Sequence, residues 1–213
     1  MTGGHAIGRS GGRLVAMLLT AAPAHRLTAQ ISWHVAAGAR YTTPLVHDSI
    51  VSPFDVKLAL APELALTVGA QPGHGWAPQV LLDASTSNLV RHDPDGTTIT
   101  LERVSTVSFA VGVSHTLPGG LRGSVAVGGL KYLPSEESGI FRQGSGAISP
   151  LGALSVAYGL PLGEPGRPRR WWLEVRYDIH AFTTPALDDE GFTSSQTVHR
   201  VALALGREFG HTP

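Results

Sequence analysis

The chain has 213 residues, most simply one domain, and its 16 basic and 16 acidic residues cancel, so no electrostatic footprint for nucleic acid exists. Charged residues make up 15 %, below the roughly 25 % usual for soluble domains. The absence of cysteine excludes a disulfide framework and thiolate metal sites.

Residues 1–29 read as a secretory signal peptide. His5, Arg9 and Arg13 give a basic start without an acid, and the apolar stretch from Leu14 to Ala24 follows. Ala22-Pro-Ala24 is an A-x-A-like cleavage site, and Thr28-Ala29 before Gln30 is a second. The competing reading, a buried amphipathic helix, lacks a polar stripe and ends in proline. No other apolar run reaches about 18 residues, so the mature domain, 30–213, has no candidate helical span.

Eight strand-like runs follow, near 31–43, 54–70, 76–90, 98–116, 121–133, 150–161, 170–183 and 196–209. The connectors alternate. Those around 71–75, 117–120 and 163–169 are tight or rich in Pro and Gly, whereas 44–53, 91–97, 134–149 and 184–195 are longer and polar. Within the runs the period is two. In the second, Leu58, Leu60, Leu64, Leu66 and Val68 share one face, while Lys57, Ala59, Ala61, Glu63, Ala65 and Thr67 share the other. In the seventh, Leu173, Val175, Tyr177 and Ile179 oppose Glu174, Arg176, Asp178 and His180. The last run sets Val201, Leu203, Leu205, Arg207 and Phe209 against Ala202, Ala204, Gly206 and Glu208.

A face rich in Ala, Gly and Ser, with isolated charges, suits the narrow interior of a small barrel better than a surface washed by water. The apolar face then meets lipid, and the sheet should close because open edges in hydrocarbon have no hydrogen-bond partners. The expected fold is all-β: an eight-stranded antiparallel up-and-down transmembrane β-barrel. Pro62 and Pro78 fall on the apolar face and lack a ladder donor, which predicts rim, bulge or irregular positions. The phase assigns Arg40, Lys57, Arg122, Arg176 and Arg200 to the lumen with Glu63, Asp83, Glu174, Asp178 and Glu208, a structural charge network that includes His180. Trp33, Tyr41, Trp76, Tyr132, Trp171, Trp172, Phe182 and Phe209 sit near run ends and are expected in aromatic girdles at the two membrane interfaces.

Signal, eight runs, alternating connectors and terminal Phe209 together resemble the small outer-membrane barrels of the OmpA/OmpX type. The tail Gly210-His-Thr-Pro213 departs from that pattern, since such barrels often end on the aromatic. The resemblance implies a monomer in the outer membrane, inserted by the barrel-assembly machinery and contacting outer-membrane lipid. It also implies periplasmic short turns and extracellular loops that carry any ligand contact.

The ten histidines, among them His34, His47, His74, His92, His115, His180 and His199, show no HExxH or paired spacing, so no metal or cofactor is assigned. Ser114 and His115 are adjacent and point to opposite faces, and no GxSxG occurs, so no catalytic residue is assigned. Loop acids at Asp93-Pro-Asp-Gly96, Glu136-Glu137 and Asp188-Asp-Glu190 read as solvated, the first as a hairpin turn lacking the full calcium-loop pattern. Arg167, Arg169 and Arg170 before Trp171-Trp172 suit anionic headgroups or simple turn solubility. The expected function is noncatalytic: envelope integrity or surface interaction through the loops. The alternatives are a lipid-modifying barrel enzyme of the deacylase or acyltransferase type, to whose lipid-facing Ser/His site His115 or His199 would belong, and a secreted lipocalin-like carrier, which would place the apolar face inside.

Overall fold

The computed structural model describes residues 30–48, 54–71, 75–162, 170–191 and 196–210. The signal-peptide expectation for 1–29 and the arginines at 167 and 169 lie outside them. Ten strands run in chain order: β1 Gln30–Thr42, β2 Val46–Asp48, β3 Phe54–Leu58, β4 Ala61–Gln71, β5 Trp76–His92, β6 Thr98–Leu117, β7 Leu121–Pro134, β8 Ser149–Leu160, β9 Trp171–Phe182 and β10 Gln196–Gly210. A 3-10 turn at Gly139–Phe141 and the short helix α1, Pro185–Asp189, lie in two of the long loops. No described helix is long and apolar enough to cross a membrane.

Eight of the strands close into an antiparallel ring. β1 pairs with β10 on one side and β4 on the other, and each later strand pairs with its neighbour in sequence from β4 to β10. Every ring strand therefore has two neighbours, which satisfies the backbone ladder without an open edge. The eight sequence runs correspond to these strands, with β3 and β4 together forming the second.

That second run is broken at Ala59–Leu60. β3 meets β5 with Leu58 opposite Leu89, but β4 meets it with Glu63 opposite Ser85, a slip of one residue. A bulge inserts one residue and so reverses which face each side chain takes. Pro62, which cannot donate to the ladder, sits just beyond the bulge. Val56 and Leu58 consequently point inward and are buried, as are Ala61, Glu63 and Ala65 after the break. Lys57 therefore falls on the opposite face from Val56 and Leu58, and is removed from the expected lumen network. Leu58 likewise leaves the lipid face. A second slip between Leu89 and Val90 makes Leu101 an unpaired extra residue on β6, and both Leu89 and Val90 are buried there.

The outer wall is apolar in the middle of the strands. Val35, Leu64, Leu82, Phe109, Val111, Val127, Leu154, Val156, Val175 and Leu203 are all exposed, Val127 by 64 % and Leu64 by 59 %. Inside, small residues let the wall curve. A Cβ on Gly128 would come within 1.9 Å of the Phe109 carbonyl oxygen, and one on Gly112 or Gly38 within 2.1 Å of the Val125 or Leu203 oxygen. These positions accept only glycine because the neighbouring backbone occupies the space a side chain would need.

Gly128→Ala should therefore destabilise the barrel by about 3 kcal/mol or more, through backbone displacement. Gly123→Ala, where a Cβ meets nothing within 4 Å, should fold normally. Reversible urea unfolding of the two variants in lipid vesicles compares them; equal midpoints would show that wall curvature does not depend on Gly128.

Candidate functional site

The lumen is layered along its axis. Nearest the short turns lie His34, Arg122, Trp172, Glu174 and Glu208. Arg122 pairs with Glu208 at 2.8 Å, and its guanidinium carbon sits 4.1 Å from the centre of the Trp172 ring. His34 Nδ1 stands 3.8 Å from Glu174. Gly206 makes room for that imidazole, since a Cβ there would fall 2.1 Å from His34 Nε2. His34, Gln79, Arg122, Ser124, Trp172 and Glu174 help line a small chamber of about 30 Å³ that opens toward this end.

Next comes a tight apolar layer of Ala36, Ala65, Leu81, Ala110, Ala126, Ala153 and Ala204, all buried. Beyond it three arginines and three carboxylates interlock. Asp83 accepts from Arg40 Nη1 at 2.6 Å and Arg200 Nη2 at 3.3 Å, lies 3.5 Å from Arg176 Nη1, and accepts from the Ser108 hydroxyl. Glu63 bridges Arg40 Nε at 2.9 Å and Arg176 Nη1 at 3.0 Å. Asp178 faces Arg40 Nη2 at 3.4 Å and Arg200 Nε at 3.9 Å. Arg40 and Arg200 are 1 % exposed. Charges so far from water are sustained by mutual pairing and by hydrogen bonds that no partner could leave without stranding another.

At the loop end the interior turns apolar. His180 Nε2 and the Tyr132 hydroxyl lie 2.7 Å apart at the boundary. Above them Tyr132, Phe141 and Phe182 pack ring against ring, with centroids 5.1 to 6.1 Å apart. Leu45, Val46, Val56, Leu58, Leu89, Val104, Leu130, Leu187 and Val198 complete this cluster. Two loops supply part of it. The 3-10 turn drives Phe141 fully into the mouth, and α1 contributes Ala186 and Leu187. Thr184 caps α1 by accepting from Leu187 N–H at 3.3 Å and donates to the Ile140 carbonyl at 2.6 Å. Outside, Arg142 pairs with Glu190 at 2.6 Å and Gln143 donates to Asp189 at 2.7 Å.

The structure gathers Arg40, Glu63, Asp83, Arg122, Glu174, Arg176, Asp178, His180, Arg200 and Glu208 in the lumen; Lys57 is not among them, for the reason of the bulge. Among the aromatics, Trp33, Tyr41, Trp76 and Phe209 are exposed and Trp171 is half-buried on the outer face. Tyr132, Trp172 and Phe182 are corrections. They share the phase of inward Leu130, Glu174 and His180 and are buried inside. Proximity to a strand end suggested an interface, but the period of two decides the face. His34, Ser108 and the loop-borne Phe141 were missed as interior groups. The phase pointed to the first two; nothing in the sequence pointed to Phe141.

The loop acids differ. Asp93 to Gly96 forms a turn with Gly96 N–H on the Asp93 carbonyl at 3.0 Å and φ +86° at Gly96, as expected of a hairpin. Asp189 and Glu190 are exposed and, in addition, fasten the two loops together through Gln143 and Arg142. No group of three or more His, Cys, Asp or Glu side chains able to hold a metal occurs among the described residues. His199 Nδ1 lies 2.6 Å from the Tyr177 hydroxyl, and the His115 ring lies against Trp76.

No known protein family matches the chain, and no curated protein matches it in sequence. Among solved structures it is similar to the outer membrane protein OprG from Pseudomonas aeruginosa, at 9 % identity and TM-score 0.47 over 86 % of this chain and 97 % of that one. The attachment invasion locus protein Ail of Yersinia pestis gives 10 % identity and TM-score 0.45 over 85 % and 99 %. The outer membrane protein AlkL gives 12 % and 0.47 over 100 % and 99 %. The likeness concerns architecture; the fold itself rests on the closed ring of eight strands described above.

Asp83 is the point where all three central arginines meet, so Asp83→Ala should leave buried positive charge unbalanced and cost about 3–5 kcal/mol. Arg142→Ala, at an exposed pair, should cost about 1 kcal/mol or less. Urea unfolding followed by tryptophan fluorescence measures both, and a mild effect at Asp83 would mean that the arginines find other partners.

Proposed function

We propose that the protein is an outer-membrane β-barrel with a closed lumen, exported and inserted as a monomer, and that it serves envelope integrity or surface interaction through its loops rather than catalysis. The observation that carries this reading is the reversal of the usual pattern: an apolar band faces outward around an interior of paired charges. A carrier of the lipocalin kind needs the opposite arrangement. Outward Trp33 and Tyr41, eight residues apart on β1, lie roughly 20 Å apart along the axis of a barrel with strands tilted about 40°. That separation suits a membrane-spanning band of about 25 Å.

Two features support closure. The charge layer crosses the full width of the lumen, and the loop-end cluster seals one mouth with Phe141, Phe182 and Leu187. The surface available for partners is then the loop face. The enzyme alternative finds no support at His199, whose ring nitrogen engages Tyr177 and whose backbone N–H donates to Thr43 Oγ1 at 3.0 Å. Neither partner resembles an activated serine within a triad.

The protein should fractionate with outer membrane and migrate faster on unboiled gels than on boiled ones. Proteoliposomes containing it should show no swelling in an isotonic small sugar. Recovery from the soluble periplasm would remove the membrane reading, and steady sugar uptake would remove the closed lumen.

Leu64→Arg should cost about 2–4 kcal/mol if Leu64 lies near the bilayer midplane. In detergent-free aqueous buffer the same change should instead raise solubility. Unfolding midpoints in vesicles of the two proteins give the answer, and an unchanged midpoint would mean that the Leu64 face does not meet hydrocarbon.

A further inference from the structure

We propose that the outer face at the short-turn rim binds the headgroup phosphate of an anionic phospholipid, with Arg207 supplying the charge and Trp171 and Phe209 the flanking rings. The proposal rests on the membrane-spanning reading above and adds a lipid site to it. Arg207 lies on β10 in the outward phase of Leu203 and Leu205, and it is exposed. Its guanidinium carbon is 5.6 Å from the centre of the Trp171 ring and 5.3 Å from that of Phe209.

The contrast with the other arginines that lie over aromatic rings gives this position its meaning. Arg91, over Phe54, also pairs with Asp93 at 2.8 Å. Arg122, over Trp172, also pairs with Glu208 at 2.8 Å. Arg207 alone of these three has no carboxylate among the described residues. Its cross-strand neighbours are Trp171 on β9 and Val35 on β1. Glu208, next in sequence, points to the other side of the sheet and into the lumen, so the wall itself separates it from Arg207.

A guanidinium held on an apolar wall keeps its N–H edges free while the rings cover part of its surface. Those edges match a phosphate in two-point geometry. Position fits as well. Arg207 stands at the level of the outward rings Trp33, Trp171 and Phe209, where a headgroup layer meets hydrocarbon. At that level the bilayer itself offers an anion, the headgroup phosphate.

The test reconstitutes the protein in phosphatidylcholine vesicles containing a minority of phosphatidylglycerol, releases it into mild detergent and counts retained lipids by native mass spectrometry. The wild-type protein should retain phosphatidylglycerol about fivefold above its abundance, the enrichment expected for one cation near an anionic surface. Arg207→Gln should bring this to parity, while Arg91→Gln, whose arginine already has Asp93, should leave it unchanged. Equal enrichment in Arg207→Gln overturns the site. Displacement of the lipid by inorganic phosphate overturns it too, since the ligand would then be a free anion. Insertion without phosphatidylglycerol enrichment sinks the lipid site alone, whereas failure to resist carbonate extraction from either vesicle sinks the membrane-spanning reading with it.

Discussion

Closing eight strands edge to edge leaves an interior only wide enough for side chains, and that radius sets what each inward position can carry. Gly38, Gly112 and Gly128 meet backbone oxygens of the neighbouring strand at distances that no Cβ tolerates. Six alanines and Leu81 meet in a single layer. Only where several small residues leave space can long side chains enter, and there the arginines reach across the lumen from β1, β9 and β10 to carboxylates on β4, β5 and β9. The charge network is thus a consequence of the glycines and alanines as much as of the charges.

Length adds a second constraint. Strands of about 9–11 residues suffice to cross a bilayer, yet β5 has 17 and β6 has 20. The surplus projects at the loop end, and there the structure changes character. Both bulges fall in this region, and each turns apolar side chains inward that a regular ladder would expose. The resulting cluster gives the long loops something to pack against, so Phe141 and Leu187 are drawn into the mouth and the Arg142–Glu190 pair closes over them. The short-turn end has no such surplus and keeps a polar chamber open to water.

Much of this was legible in the sequence because a barrel repeats one rule along every strand. Alternation located all eight runs to within a few residues, and Arg40, Asp83, Arg176 and Arg200, which it assigned to the lumen, are buried. It failed at Lys57 because a bulge is a change of phase, and Ala59-Leu60-Ala61-Pro62 announces only that pairing is awkward, not which way the phase moves. For Tyr132, Trp172 and Phe182 the rule itself was sufficient, and a preference for aromatics at interfaces displaced it. The loop plug was beyond reach for another reason. Phe141 packs against residues from β7 and β9 and against α1's Leu187, and contacts that distant leave no local period to read.

The axial order of the layers determines how the two ends communicate. From the short-turn side water can reach Arg122 and Glu208, but it then meets the alanine layer, whose side chains offer it no hydrogen bonds. From the loop side the first barrier is apolar, so an ion loses its hydration before it reaches any compensating charge. The central arginines and carboxylates lie between two layers that exclude water, and each guanidinium already has two or more carboxylate neighbours there. An ion arriving at that layer would have to displace a partner whose replacement is not at hand. In the closed barrel proposed above, closure is therefore not a single gate but two unlike apolar layers on either side of a layer of mutually paired charges, and opening one of them leaves the other in place.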